Sequence, residues 1–497
     1  LGFSATAWDV AAQARQTHAE LALGAARVYT VGSVDSQLLI SGVRTAAPDG
    51  SAMPVLRRNG ERYAGQPLDI IALPASQLAK VASWPGHSTA DLTALASRLR
   101  PQAAPQAPVS GELSVRVNVT QLGKSGVKLA AMVAVPGGEP KYVTLGTLKS
   151  GVHNYSAAVP TGRFVGLALI RPAADSSAIT AKLEVLDVKA GGSPVVSFAD
   201  DQAWSGEQRG GVTGVTVTTG DTLKVDVQAE GNSDLLLTYV DTPPALPVAL
   251  SGQTPDDNRS GDRFSFLAYA EEPQPFAVAE RSDALPSVGE RGFLVDLDYA
   301  VSRAEATTGM PDASRFSAEV WANANAPADL EKRLAAAGLT VLQTRTVDAT
   351  VDQLGRRAPA LAWRLYLLAG VVAAALALGL VLLVARLNAT ARRHELAALR
   401  VTGVPARVLR RGVRREHLAL MGLPVLTGFA VGLGSAWLML PGMPLVAVGQ
   451  TTSVSWTPHL GAVVFAAAAG LLCLLLAVFV AVRLVRRAAP ELLRGDV

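Results

Sequence analysis

Cysteine is almost missing from this chain: 497 residues contain one, Cys473, and it sits within an apolar run. A disulfide scaffold and a Cys-based metal site are therefore excluded. The six histidines are scattered, and HELAAL at His394 and REHLAL at Arg415 lack the second histidine of a zinc site, so no metal is expected. No G-x-S-x-G occurs and no Ser, His and Asp set has a motif around it, so no catalytic residue is assigned. The GKS at Gly123 to Ser125 lacks the first glycine of a phosphate loop, whose place is taken by Asn118, and it would interrupt strands where a helix is needed; it reads as a hairpin turn. Aromatic residues are 5% and charged residues 17% of the chain. No basic stripe mixed with aromatics appears, which removes nucleic acid as a partner in spite of a pI near 9.2. Lysine is missing from Leu365 onward, where 13 Arg face 4 acids. That surplus of nine positive charges exceeds the +4 of the whole chain, so residues 1–364 are net acidic.

What is present is apolar. With 49% hydrophobic residues and a mean hydropathy of +0.28, the chain is too long for one domain and too apolar to be purely soluble. Leu365 to Val384 is twenty residues without a charge, and Leu418 to Leu440 and Leu460 to Val482 are twenty-three each. Each is long enough to cross about 30 Å of hydrocarbon. The connection Ala385 to His417 carries nine Arg against two Glu, the tail from Arg483 carries four Arg against two acids, and Pro441 to His459 carries no charge. By the positive-inside rule the first two are cytoplasmic and the third external, which places residues 1–364 outside the cell membrane. The chain opens at Leu1 without methionine, and Phe3 to Ala7 resembles no signal peptide, so a fragment or processed product is expected.

The outer region changes character twice. Residues 4–23 are Ala-rich with helical spacing of Trp8, Ala11, Arg15 and Leu21, and Gly24 ends the helix. A strand follows over Arg27 to Val34, and Ser88 with Asp91 predicts a capping box ahead of Leu92, Leu95 and Leu99. Arg100 to Ser110 reads as a linker. Beyond it, period-2 runs recur at Glu112 to Thr120, Lys128 to Val135, Tyr142 to Leu148, Arg163 to Arg171, Lys182 to Val188, Val212 to Thr218, Leu223 to Val227 and Leu235 to Val240, which predicts an antiparallel β-sandwich. From Phe264 the pattern is mixed again: a strand Gly292 to Leu297, a strand Phe316 to Trp321, a helix opened by Pro327 and ended by Gly338, and a strand Leu339 to Arg345. Val347, Val351, Leu354, Ala358, Leu361 and Leu365 form a heptad seam running into the first span, with Pro359 expected to kink it; the seam packs on its own lobe or pairs with another helix. Asp296 and Asp298 read as two solvated acids on an exposed strand face rather than paired carboxylates, and Trp204, Trp321, Tyr155 and Tyr239 as packing rather than a ligand groove.

The cytoplasmic connection carries the strongest functional signal. RRHELAALRVTGVPARVLRRGVRREH predicts two helices, divided at Gly403 and Pro405. In the second, Arg407, Arg410, Arg411 and Arg414 form one face and Val408, Leu409, Gly412 and Val413 the other, an amphipathic element for the inner leaflet. The first, with Glu395 beside Leu396, Leu399 and Arg400, presents a surface for a protein partner.

At these residues the chain resembles the C-terminal half of a long FtsX-like permease, the ABC-transporter family that includes MacB-type and lipoprotein-releasing complexes. RRHELAALRVTGVPARVLRR is similar to the family's R-x-E-L/I-x-x-L-R-x-x-G segment, and RRAAPELLRGDV to its closing P-x-x-x-L-R. The resemblance covers residues 347–497, is weak for the mixed lobes and does not extend to the sandwich. Taken with the patterning above, it implies a multidomain α+β membrane protein: stalk helix 1–25 after a missing span, external α/β lobe 26–107, the inserted antiparallel β-sandwich 108–250 that the period-2 runs predict, second α/β lobe 251–346, stalk helix 347–364, and a permease domain 365–497. Within the last lie three transmembrane α-helices, 365–387, 418–440 and 460–482, and a coupling loop 388–417. It further implies that Glu395, Leu396, Leu399, Arg400 and Gly403 dock on an ABC ATPase subunit, that ATP and Mg are bound there and no cofactor here, and that an upstream permease half or a second permease copy completes the unit. The implied location is the bacterial cytoplasmic membrane, multi-pass, with membrane lipids and an external protein or glycan as further partners. The competing readings are an exporter passing lipid, lipoprotein, peptide or drug between the spans, and a membrane-anchored receptor binding a glycan through its sandwich.

Overall fold

A computed structural model of the chain describes residues 2–487, apart from 33–34, 59, 124–125, 136–138, 172–178, 201–202, 209–214, 230–233, 256–261, 308–309, 402–404 and 440–457. The chain divides into two compact units, residues 20–347 and residues 1–19 with 348–497. In chain order the helices are α1 (Gly2–Leu23), α2 (Ser36–Ala46), α3 (Leu78–Val81), α4 (Thr89–Leu99), α5 (Leu297–Ala306), α6 (Leu330–Ala336), α7 (Val347–Gly355), α8 (Ala358–Val401), α9 (Ala406–Met439) and α10 (Leu460–Arg487).

The larger unit contains two large sheets. The first has nine strands in the order Arg263–Phe266, Gln274–Ser282, Leu246–Ser251, Gly292–Asp296, Asp69–Leu73, Ala52–Arg58, Phe316–Ala322, Arg27–Val31 and Val341–Thr346. Residues expected in two lobes, 26–107 and 251–346, are thus interleaved in one sheet. Apolar runs such as Asp69–Leu73 and Gly292–Asp296 suit its middle, where they pair in parallel and are almost wholly buried. Phe276, Phe293, Tyr269, Leu39 and Val320 sit in its core. The capping box at Ser88 forms, with Asp91 accepting from the Ser88 backbone at 2.8 Å, and Leu92, Leu95 and Leu99 are buried. Two expectations are corrected here: Leu297 opens α5 instead of ending a strand, and α6 starts at Leu330 rather than at Pro327. Strands Leu246–Ser251, Arg263–Phe266 and Gln274–Ser282 have no clear alternation that reveals them in the sequence.

The second sheet has ten strands between Pro108 and Tyr239, all paired antiparallel. Its organiser is the 20-residue strand Gly151–Ile170. The first half of that strand pairs with Pro108–Leu122, and the second half lies between Lys128–Ala134 and Leu235–Tyr239. Glycine makes this exchange of neighbours possible. A Cβ on Gly166 (φ +144°) would come 2.2 Å from the Leu237 carbonyl oxygen, and one on Gly162 2.4 Å from that of Ala134. Alternating Leu113, Val115, Val117 and Val119 face one core with Leu167, Leu169, Trp204 and Tyr239. The supposed linker is tied down: Tyr299 Oη donates to the Pro101 carbonyl at 2.5 Å and Tyr239 Oη to that of Pro105 at 2.8 Å. Leu246–Ser251, placed within the sandwich by the sequence, belongs to the nine-stranded sheet.

The seam from Val347 to Leu365 is not continuous. α7 ends at Gly355 and α8 begins at Ala358, so Pro359 lies in a first turn where its missing N–H is not needed. The interruption changes the inward face: Ala360 and Trp363 are buried, whereas Leu361 and Leu365 are 50% and 67% exposed.

Candidate coupling segment and membrane helices

Two helices are long and apolar enough to cross a membrane among the described residues, Ala360–Leu380 of α8 and Gly422–Met439 of α9, while the apolar stretch Leu460–Leu476 of α10 is shorter. Only 6% of the first window is buried, and Leu368, Leu376, Trp437, Leu460 and Phe465 lie exposed. So many large apolar side chains facing outward require lipid rather than water around them.

α1 packs within this helical unit. Ala7, Val10, Ala11 and Ala14, spaced at three and four residues, make a small-residue face against Trp363 of α8 and Ala436 of α9. A Cβ on Gly370 would stand 2.8 Å from Ser4 Oγ, so glycine permits the close approach of α1 to the span. At the start of α10, the His459 N–H donates to Asp9 at 2.7 Å.

α8 is a single helix of 44 residues that carries the first span and the predicted docking residues together. Glu395, Leu396, Leu399 and Arg400 fall in its last two turns, and Gly403 lies outside the described residues. α9 opens at Ala406, directly after Pro405, and continues through Arg407, Arg410, Arg411 and Arg414 to Met439; Arg411 is exposed. The segment expected as a loop, 388–417, is thus helical on both sides of residues 402–405, and among the described residues the second of these helices runs unbroken into the apolar window Gly422–Met439. Pro424 lies inside α9 near the start of its apolar window, which removes one helical hydrogen bond there. The connection expected to be external, up to Thr457, and the tail motif from Ala488 lie outside the described residues.

Other sequence candidates resolve into structure. Asp296 is fully buried as the N-cap of α5, accepting from the Ala75 N–H at 2.8 Å and the Tyr299 N–H at 3.0 Å. Burial pushes its carboxyl above the usual carboxylate range, although those two N–H groups oppose the shift. Asp298 pairs with Arg100 at 2.5 Å. The reading of two solvated acids on an exposed strand face is therefore corrected. Trp321, Trp204, Tyr239 and Tyr155 are all buried, with the Trp204 and Tyr239 rings 5.2 Å apart, so they pack rather than line a groove. An open groove of about 790 Å³ on the ten-stranded sheet is instead lined by Thr120, Lys182, Glu184, Lys224 and Asp226 among others. Residues 124 and 125 of the GKS sequence lie outside the described residues, and the flanking elements are both strands.

The family model for the C-terminal domain of FtsX-like permeases matches residues 367–490, about a quarter of the chain. The match includes both predicted connection helices and the second and third apolar stretches. No curated protein matches the chain.

Proposed function

With residues 367–490 matching the FtsX-like permease C-terminal domain, we propose that this chain is the permease component of a bacterial ABC system and has no active site of its own. The observation that carries the reading is the family match across the RRHELAALRVTG segment, at the end of a helix that also contains a span. An ABC ATPase subunit docks on Glu395, Leu396, Leu399, Arg400 and Gly403 and binds ATP and Mg. Three spans cross the membrane, with the 388–417 connection and the tail in the cytoplasm and residues 20–347 outside. The ten-stranded sheet acts as the two layers of an inserted sandwich, with Gly151–Ile170 passing from one to the other.

The geometry favours mechanical coupling. At 1.5 Å per residue α8 is a rod of about 66 Å, so displacement of Glu395 to Arg400 by the closing ATPase tilts its far end. There Trp363 and Ala436 hold α1 through the alanine face, and α1 and α7 are the two chain connections to residues 20–347. No Asp, Glu, Lys or Arg lies in Leu365 to Val384, Leu418 to Leu440 or Leu460 to Val482, which supports mechanical action over passage of a polar substrate between the spans. The receptor reading loses its aromatic platform, because the candidate rings are buried.

Pull-down of the ATPase from detergent extracts tests this reading. Reversing both charges, Glu395→Arg with Arg400→Glu, should weaken association at least about a hundredfold, because loss of a desolvated ion pair costs about 3–5 kcal/mol. Replacing Arg410 and Arg411 with Gln should leave the ATPase bound and cost lipid contact of about 1 kcal/mol each. Loss of the ATPase from the Gln pair, with retention by the reversed pair, would move the docking surface onto α9.

A further inference from the structure

Arg15 is 7% exposed, and its Nη1 has no hydrogen-bond partner among the described residues. Its guanidinium lies over the Trp8 ring, 5.5 Å from the centroid. One turn further along α1, the buried Nδ1 of His18 likewise has no partner. What faces these two groups is more positive charge. Arg364 acts on Arg15 and Arg357 on His18, and together with burial they push both groups below their usual pKa values, burial being the larger cause. Arg357 and Arg364 are themselves exposed. A Cβ on Gly355 would be 3.9 Å from Arg364 Nη2, so that guanidinium reaches back to the break between α7 and α8, where Arg357 sits. Neither His18 nor any of the three arginines makes an ion pair among the described residues. Arg15 is a buried cation without a hydrogen-bonding anion, which is costly, and the two exposed guanidiniums near it allow an anion to complete the cluster.

The surroundings identify the anion. Arg364 lies within the first turns of the span Ala360–Leu380. Trp8, Trp363 and Tyr366 lie at the same end of the span, the last two with rings 5.8 Å apart, as aromatic residues do at the level of lipid headgroups. Leu361, Leu365 and Leu368 on the same helix are exposed, so a bound molecule meets cations and an apolar surface together. We infer that Arg15, His18, Arg357 and Arg364 form a binding site for the phosphate of an anionic lipid headgroup, whose acyl chains lie along the exposed leucines of α8. The guanidiniums supply forked donors to the phosphate oxygens. An occupied site joins α1 to α8 and so stiffens the junction at the end of the rod away from the docking residues. The inference needs α8 in the membrane but does not need the ATPase.

Full-length protein in detergent tests it, with Arg407, Arg410, Arg411 and Arg414 all changed to Gln so that the basic face of α9 does not contribute. Native mass spectrometry would follow titrations with phosphatidylglycerol, with phosphatidylcholine of the same chains, and with inorganic phosphate. Phosphatidylglycerol should bind at least tenfold more tightly than phosphatidylcholine. Arg15→Gln and Arg364→Gln should each weaken it tenfold or more, and inorganic phosphate should compete poorly. Equal binding of the two lipids, or unchanged phosphatidylglycerol binding in both variants, would overturn the site. Effective competition by inorganic phosphate would overturn the lipid as its source. If Arg15→Gln fails to fold, the exposed Arg364→Gln decides the question. Equal binding of the two lipids before Arg15 or Arg364 is changed, with the ATPase still bound, would sink this site and leave the permease reading standing.

Discussion

The Asp9 carboxylate holds His459 twice: it accepts the His459 backbone N–H at 2.7 Å and lies 3.1 Å from the ring Nδ1. This joins the first helix of the chain to the residue before α10. Burial alone would raise the Asp9 pKa, but the His459 backbone and side-chain hydrogen bonds and the one from Gln13 outweigh it, and the carboxyl is held below its usual value of 3.8. A depressed carboxylate contributes stability that is complete above the unfolded-state pKa and is lost as pH falls through the folded one. Asp9→Ala should therefore lower the unfolding free energy in detergent by about 1 kcal/mol at pH 7. The difference from the natural protein should shrink as pH falls below 3.8 and vanish only once the pH is below the lower folded-state pKa. Identical unfolding at pH 7 would mean that the contact contributes nothing.

Orientation is tested by thiol labelling. With Cys473 replaced, single cysteines at Thr451 and Ala398 should respond differently to an impermeant reagent in intact cells. Thr451 should react once any outer layer is permeable, and Ala398 should remain protected, because the connection around Ala398 is rich in arginine and the one around Thr451 has no charge. The opposite pattern would invert the protein in its membrane.

Gly24 ends α1 at φ +79°, and a Cβ there would come 2.4 Å from the buried Trp321 ring. Gly60 has a similar φ of +73° with nothing within 4 Å. Gly60→Ala should cost about 1 kcal/mol for backbone conformation alone. Gly24→Ala should cost clearly more, about 2–4 kcal/mol, because the ring has no room to move. Equal losses in thermal unfolding would show that the ring accommodates the methyl group.

The ten-stranded sheet has a core of its own, with Leu113, Val117, Leu167, Trp204 and Tyr239 at its centre. Residues 101–241 expressed alone should be soluble and strand-rich by circular dichroism. The boundary at 241 excludes Leu246–Ser251, which pairs in the other sheet. A folded but helix-dominated product would refute the assignment.

Much of this architecture is local and therefore legible in the sequence. Uncharged runs of twenty or more residues mark the apolar helices, two of which, Ala360–Leu380 and Gly422–Met439, are long enough to cross a membrane among the described residues, because hydrocarbon excludes charge. The alternation of Leu113, Val115, Val117 and Val119 identifies a strand with one buried face, and Ser88 with Asp91 identifies a helix start, because in each case neighbours in sequence carry the signal. The candidate docking segment was readable through its residue types, Glu395 to Gly403. That its first helix is the end of a span was not, because arginines at Arg386, Arg392 and Arg393 break the apolar run without breaking the helix.

What only the tertiary structure decided is which distant pieces share a surface. Period-2 patterning tells which face of a strand is buried and says nothing about its partner, so the union of residues 27–73 with 246–346 in one sheet could not be read beforehand. In the sequence Arg15 is one of four residues, with Trp8, Ala11 and Leu21, that mark helical spacing in an alanine-rich segment. Its burial with no ion pair among the described residues arises only when α1 is set against Arg364, nearly 350 residues away, because electrostatic environment depends on distance in space and not along the chain.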